Sequence, residues 1–208
     1  MGEKSLTKWM KSMPRSTILL ILFLLPSLAV GQVHEYQYDK AHSSVGFSIV
    51  HLTVSKVSGH FDDVEVSISL DPSDPSTLQT EVVIQAASVN TNNENRDEDL
   101  RDEKRFDVAN YPEITFKSTG VSDVMDDGTF KLHGDFTMKG ITKPIVLDGE
   151  MRGPAEAFGT ERLGFSATTT IDRFDYGIMW NAMTEAGGLI AGREVTFVIE
   201  VEAKRSLE

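Results

Sequence analysis

The 208-residue sequence contains no cysteine, which excludes disulfide bonds, a cysteine nucleophile and a lipid-modified cysteine. Other catalytic signatures are missing as well. There is no G-x-S-x-G elbow, no H-E-x-x-H zinc helix and no Walker or G-x-G-x-x-G loop. The sequence therefore argues against a hydrolase or a nucleotide-binding enzyme, and we predict no catalytic residue, no metal ligand and no cofactor.

Positive charge is also scarce, with 20 basic against 32 acidic residues and a net charge of −12. A surface of this sign repels the phosphate backbone of nucleic acid. Nucleic acid is therefore excluded as a favoured partner.

The sequence has one long apolar run, from Thr17 to Val30, and Pro26 interrupts it. A membrane anchor is the alternative interpretation, but a spanning helix needs about 20 apolar residues. A basic region precedes the run, and the small residues Ala29 and Gly31 suit a signal peptidase. We predict a signal peptide over residues 1–31, cleavage before Gln32 and a periplasmic mature protein without a membrane span.

The predicted mature chain, residues 32–208, has 177 residues, which suits one domain. Because the removed segment carries four basic residues and one acidic residue, the net charge becomes −15. No internal repeat or linker divides this chain. With no disulfide available, its stability has to come from the core, and a domain of this size can bury enough surface.

Apolar residues alternate with polar ones through most of the mature chain, which is the pattern of half-buried strands. The stretch from Asp39 to Phe61 predicts one long strand kinked at Gly59. Its inward residues include Val45, Phe47 and Ile49. Further inward rows are Val64–Val66–Ile68–Leu70, Val82–Ile84–Ala86, Ile114–Phe116, Phe130–Leu132–Phe136–Met138, Ile145–Leu147–Met151, Leu163–Phe165–Ala167–Ile171 and Val195–Phe197–Ile199–Val201.

About eight strands result, and hairpin turns are predicted at Asp71–Pro75, Asp126–Gly128 and Lys139–Gly140. The charged stretch 92–108 predicts a short surface helix with Asn93 or Asn95 as its N-cap. The fold class is therefore all-β: an extended eight-stranded antiparallel β-barrel with one short surface helix. Such a barrel either is filled by its own side chains or encloses one small ligand, and the alternation is consistent with both.

Polar residues near the barrel ends are the remaining candidates for a site. His42, His51 and His60 are nine residues apart, so on one strand they alternate between faces and do not converge on a metal. The expected role of His51 or His42 is a hydrogen bond at the barrel rim, to backbone or to a ligand head group.

Two further polar groups are interpreted as structural. Arg96 and Asp97 are adjacent on a helix and point apart, which indicates a capping or rim role. Arg173 is expected to tie strands together by hydrogen bonds to a carboxylate. Trp180, with Met179 and Met183, suits a lid over an apolar opening or a plug at the barrel end.

The sequence resembles the YceI-like family of exported lipid-binding proteins. The resemblance rests on short motifs in order: D-x-x-H-S-x-V-x-F at 39–47 with His51 following, G-H-F at 59–61, S-V-N-T at 88–91, N-R-D-x-x-L at 95–100, F-D-V-x-x-Y-P-x-I-T-F at 106–116, K-G-I-T-K-P at 139–144 and R-F-D-Y-G at 173–177. The late strand 195–203 completes the match. Each motif is weak alone, but together they cover essentially the whole mature chain.

This resemblance implies a lipocalin-like barrel whose interior holds a long isoprenoid chain, such as a polyprenyl phosphate or a quinone, or a fatty-acid-type amphiphile. A homodimer is compatible with it. The residues implied to line the tunnel, together with His51 at the rim and Trp180 in the loop, are Val45, Phe47, Ile49, Phe106, Tyr111, Phe116, Phe136, Phe165 and Phe197.

Three functions are therefore compared. The first is a periplasmic carrier that sequesters an isoprenoid lipid without chemistry. The second is an enzyme or accessory protein that acts on a bound quinone, for which a titratable histidine at the head group is required. The third is a structural interaction protein with a solid barrel, in which Phe47→Trp would overpack the core.

Overall fold

A computed structural model describes residues 31–183 and 190–207. The predicted signal peptide, residues 1–31, lies outside these ranges apart from Gly31. Cleavage before Gln32 therefore stays a prediction. In the described part of the chain, no helix combines the length and the apolar composition that crossing a membrane requires.

The described residues form eleven strands, one α-helix and three short 3₁₀ helices. The 3₁₀ helices are Lys40–His42, Ala86–Ser88 and Arg173–Tyr176. The remaining elements are β1 (His34–Tyr38), β2 (Ser44–His51), β3 (Ser55–Phe61), β4 (Val64–Asp71), β5 (Asp74–Gln85), β6 (Val89–Asn90), α1 (Glu94–Arg101), β7 (Glu113–Ser122), β8 (Thr129–Met138), β9 (Ile141–Ala157), β10 (Thr160–Asp172) and β11 (Ala191–Ser206).

Eight of these strands close a barrel in the order β1-β4-β5-β7-β8-β9-β10-β11, and β11 returns to β1. The closing pairs are Gln37 with Lys204 and Tyr38 with Ala203. β11 also pairs with β2, which continues into β3 and β6 as an extension of the sheet. All pairings among the described strands are antiparallel, and closure gives each of the eight barrel strands a partner on both sides, which limits edge-to-edge aggregation. The prediction of an extended eight-stranded antiparallel barrel is confirmed.

The predicted inward rows of β4 to β11 are confirmed as core. Each of their residues is buried or packs against the buried cluster. Period-two alternation identified them because successive side chains of a strand point to opposite faces of the sheet.

The prediction of one long kinked strand from Asp39 to Phe61 was wrong. The chain forms a hairpin of β2 and β3, because Leu52 and Thr53 both have positive φ, 53° and 61°, and turn it back. Neither is glycine or asparagine, so the sequence carried no usual turn signal. Gly59 lies opposite Phe47, and a Cβ there would meet the Phe47 ring at 2.6 Å. Glycine therefore makes room for an aromatic ring rather than a bend.

The turns and the helix follow their local sequence. Lys139 and Gly140 have φ of 51° and 72°, as a two-residue hairpin requires. Asn93 caps α1 by accepting a hydrogen bond from the Arg96 backbone N–H at 3.1 Å. The helix is shorter than the charged stretch 92–108, and the chain beyond Arg101 folds back toward the barrel.

Candidate functional site

Two apolar cavities lie one after the other inside the barrel. The first, of about 250 Å³, is bordered by β2, β3, α1 and the segment 173–180, and we call it the arginine cavity. The second, of about 100 Å³, lies deeper, among β2, β4, β5 and β7 to β11, and we call it the inner cavity. In each of the two cavities, most of the lining side chains are aliphatic or aromatic.

Ten of the eleven predicted site residues line one of these cavities. Those of the arginine cavity are Phe47, Ile49, His51, Phe106, Trp180 and Phe197. Those of the inner cavity are Val45, Phe116, Phe136, Phe165 and again Phe197.

Tyr111 lines neither cavity and is 38% exposed. Its ring packs on Gly140 in the β8–β9 turn, where an added Cβ would lie 2.6 Å from Cε1 of the ring. Tyr111 precedes the first residue of β7, so the alternation inside that strand does not determine its direction.

Three arginines line the arginine cavity, and α1 positions the first of them. Arg96 donates through Nε to Thr91 Oγ1 at 2.7 Å and through Nη2 to the Thr91 carbonyl at 2.9 Å. Asp97 accepts from the Thr91 backbone N–H at 2.9 Å. The two adjacent side chains therefore converge on the Thr91 hydroxyl, so the prediction that they point apart was wrong. Their bonds hold Thr91 in place, and the cap of α1 is Asn93.

Arg105 is the second of these arginines, and only 8% of it is exposed. Its Nη2 lies 3.0 Å from Asp99 Oδ2, and its guanidinium lies 4.2 Å from the centroid of the Trp180 ring. Asp99 has 58% of its side chain exposed, so solvent weakens this ion pair. Cation–π stacking on Trp180 also holds the guanidinium in place.

Arg173, the third, is 5% exposed and donates to the carbonyls of Ile178, Gly192 and Ala191 at 2.6, 2.9 and 3.3 Å. The predicted hydrogen bond to a carboxylate is therefore corrected. Among the described residues no carboxylate oxygen lies within 4.0 Å of its guanidinium, and Arg193 instead pairs with Asp172. Burial, and then the like charge of Arg105, lowers the pKa of Arg173.

The arginine cavity thus has an excess of positive charge in a protein of net charge −12. Its described lining contains three arginines and one carboxylate, that of Asp99. This arrangement can hold an apolar chain with an anionic group at the arginine end.

The sequence-based prediction missed Arg105 as a cavity residue, because it belongs to a charged run that was interpreted as a solvated helix face. Its neighbour Phe106, an aromatic residue within that run, is the signal that could have indicated burial. After α1 the chain turns inward, and the Phe106 N–H donates to the Leu100 carbonyl at 3.0 Å.

The opposite end of the barrel contains a second buried polar group, formed by Tyr36, Glu161 and Arg205. The Tyr36 hydroxyl donates to Glu161, and Arg205 donates to both Glu161 oxygens, at 2.7 and 3.2 Å. The bond from Arg205 is the main cause of the lowered Glu161 pKa. Burial, reinforced by Glu161, raises the pKa of Tyr36 to about 12.

Leu70, Leu163 and Ala203, each at most 1% exposed, are the next inward residues along their strands after Ile68, Phe165 and Val201, which line the inner cavity. We call this packed end of the barrel the floor.

Of the three spaced histidines, His51 alone lines a cavity. His60 Nε2 lies 3.0 Å from Asp62, and His42 Nδ1 lies 3.3 Å from Asp39. Asp39 also lies 3.1 Å from Lys204 Nζ, whose hydrogen bond is the main cause of the lowered Asp39 pKa. Asp39, His42 and Glu202 are close enough to share a cation, but Lys204 and Arg162 already neutralise the two carboxylates.

The segment that carries Trp180 contains no helical turn from Ile178 to Met183. Trp180 is half-buried against Arg105, whereas Met179 and Met183 are each 59% exposed and line neither cavity. Of the three side chains predicted to form a lid or a plug, Trp180 alone lines either cavity within the described part of this segment. The rest of it, residues 184–189, lies outside the described ranges.

These features define a closed antiparallel barrel with an apolar interior and one cationic end. The chain belongs to the YceI-like family, whose domain model matches residues 36–203. A UPF0312 protein of Staphylococcus aureus strain MSSA476 is 38% identical over 169 residues, which cover 80% of this chain and 95% of that protein.

Solved structures show the same fold. The crystal structure of a Campylobacter jejuni YceI protein is 35% identical and has a TM-score of 0.66, covering 83% of this chain and 99% of its own. A polyisoprenoid binding domain from Saccharophagus degradans has a TM-score of 0.58 over the same shares at 18% identity. At that identity the likeness concerns the fold alone.

Proposed function

We propose that this protein binds and carries an amphiphile with a long isoprenoid chain and an anionic phosphate head group. The observation that carries the proposal is the apolar interior, which runs from a floor of Leu70, Leu163 and Ala203 to a group of arginines. The chain would lie in the interior, and the phosphate would lie beside Arg105 and Arg173.

The affinity for such a ligand comes mainly from removing its hydrocarbon chain from water, worth about 0.8 kcal/mol per buried CH₂. The aliphatic and aromatic walls select the ligand by the length and shape of its chain, and only a few polar groups recognise its head group. Charge-assisted hydrogen bonds from arginine would add about 1.5 to 3 kcal/mol in a site of this kind.

The arginines favour a phosphate over a quinone within the same lipid class. A quinone head presents neutral carbonyl acceptors, which would leave Arg173 without an anionic partner and Arg105 with only the exposed Asp99. Buried charges without a partner are costly, so a ligand that supplies the missing negative charge is favoured.

The family relationship supports the proposal in part. The S. degradans neighbour is described as a polyisoprenoid binding domain, and it has the same barrel. We extend that class of ligand to this chain because the cavities here are lined in a way that suits it.

We further propose that the mature protein acts in the periplasm, after cleavage before Gln32, as a carrier that performs no chemistry. The basic region and apolar run of residues 1–31 support export. A water-insoluble lipid that crosses an aqueous compartment needs a protein interior that hides its chain.

Native mass spectrometry of the protein purified from its own cell envelope, followed by organic extraction, tests this proposal. We expect a mature chain that begins at Gln32 and carries one bound polyprenyl phosphate. A released quinone would favour the alternative of a quinone-acting protein, because half-buried His51 provides a titratable group in the arginine cavity. A released fatty acid would indicate a different amphiphile.

A matched ligand pair separates the chain from the head group. Farnesyl phosphate and farnesol share one chain, and we expect the phosphate to bind roughly tenfold or more tightly. If neither compound binds and the organic extract contains no lipid, the proposed function is refuted and a solid barrel is favoured.

A further inference from the structure

The two cavities meet at one residue. Among the described residues, Phe197 alone lines both the arginine cavity and the inner cavity. It is 6% exposed and lies on β11, between Val195 in the arginine cavity and Ile199 in the inner cavity.

The boundary between the cavities crosses the neighbouring strands at the same level. Phe197 pairs with Phe47 of β2 on one side and with Thr169 of β10 on the other. On each of three strands the change of cavity falls between two successive inward residues: Phe47 and Val45 on β2, Met138 and Phe136 on β8, Ile171 and Thr169 on β10. The boundary is therefore one cross-section of the barrel.

The Phe197 ring is supported within this cross-section by other aromatic rings. Its centroid lies 5.6 Å from that of Phe136 with the planes at 64°, and Phe136 lies 5.4 Å from Tyr176 at 80°. Edge-to-face pairs of this kind are favourable beyond their buried area. Displacing the Phe197 ring therefore costs binding energy that a ligand has to supply.

We infer that Phe197 is a specificity-determining residue, a partition that sorts ligands by chain length. This inference rests on the proposed function. A short chain fits in the arginine cavity with Phe197 in place. A longer chain reaches the inner cavity only by turning the ring aside, and it loses part of its gain in affinity at that point.

A homologous series of n-alkyl monophosphates, from octyl to eicosyl, tests the partition in the full-length mature protein. Affinity should rise by up to about fourfold per added CH₂ while the chain fills the arginine cavity. Where the chain meets Phe197, we expect a break in this rise: longer chains should bind roughly two- to tenfold more weakly than the trend of the shorter chains predicts.

Phe197→Leu should remove the break, whatever it does to the absolute affinity for short chains. Phe130→Leu is the matched control, because Phe130 lines the inner cavity, is 5% exposed and lies away from the boundary. This control should keep the break at the same chain length. A wild-type curve without a break, or a break that survives Phe197→Leu, would overturn the partition.

Ring resonances of Phe197 in NMR spectra of the wild-type protein provide a second test that does not depend on variant stability. Short alkyl phosphates should leave these resonances nearly in place, and chains longer than the break should shift them. Equal shifts with both would refute the inference. Failure of every alkyl phosphate to bind would instead refute the proposed function itself.

Discussion

The two ends of the barrel both contain arginine, yet they differ in how its charge is balanced. At the floor, Arg205 and Glu161 form a two-contact ion pair completed by the Tyr36 hydroxyl. At the other end, Arg173 donates its hydrogen bonds to backbone carbonyls, and Arg105 forms an ion pair with the exposed Asp99. A self-satisfied charge cluster stabilises the fold, whereas an excess of charge beside an apolar cavity favours a ligand.

Glu161→Gln breaks the balanced end and should have the largest effect. The partly buried Arg205 would lose its anionic partner, and a buried carboxylate would be replaced by an amide, so we expect the free energy of unfolding to fall by about 2 to 3 kcal/mol. Denaturant titration at neutral pH measures the change. Glu200→Gln is the control, since its partner Arg152 is half-exposed and such pairs contribute less than about 1 kcal/mol.

The same variant should respond to acid differently from wild type. Because the pKa of Glu161 is lowered in the folded protein, its contribution is present above the ordinary value of 4.5 and is lost as the pH falls through the folded pKa. The stability difference between wild type and Glu161→Gln should therefore narrow below pH 4.5. A constant difference down to strongly acid pH would show that the ion pair is not its source.

Arg105→Gln changes the unbalanced end and should affect binding more than folding. We expect most of the preference for farnesyl phosphate over farnesol to be lost, a drop of up to roughly tenfold, because one charge-assisted donor is lost. Isothermal titration with both ligands measures it. Glu161→Gln should keep the wild-type preference, and a preference that is equally strong in all three proteins would place the head group elsewhere.

Tyr36→Phe should have the smallest effect at neutral pH, about 1 kcal/mol for one hydrogen bond. Its clearer signature is alkaline. The pKa of Tyr36 in the folded protein is raised to about 12. The contribution of its hydroxyl to the stability of the wild type should therefore be fully present below pH 10 and decline as the pH rises toward 12. The variant lacks this decline, and an identical decline in both proteins would assign it to other groups.

The inward-facing residues could be predicted from the sequence because they obey a fixed period. Val45, Phe116 and Phe197 belong to rows that repeat at every second residue, and the barrel follows from such rows with turns between them. The charged side chains obey no comparable rule. Arg105 and Arg173 became cavity residues through tertiary contacts with Trp180 and with the Gly192 carbonyl, to which no local pattern points.

Two departures from the strand period have related causes. The β2–β3 hairpin was missed because Leu52 and Thr53 adopt positive φ without the usual turn residues. Tyr111 was assigned to the interior by the family resemblance, yet it lies just outside β7, where its ring covers the glycine of another turn. In both places, contacts or backbone conformations outside the strands override the simple period.

The closure of the barrel has a consequence for how the chain folds. β11 completes the ring, and its Lys204 side chain reaches Asp39 across 165 positions of sequence. Contacts of such high contact order form slowly, typically on the millisecond-to-second scale for all-β proteins. Until β11 docks, β10 and β1 both have open edges, so the late-folding intermediate is the species most exposed to aggregation and most in need of a chaperone.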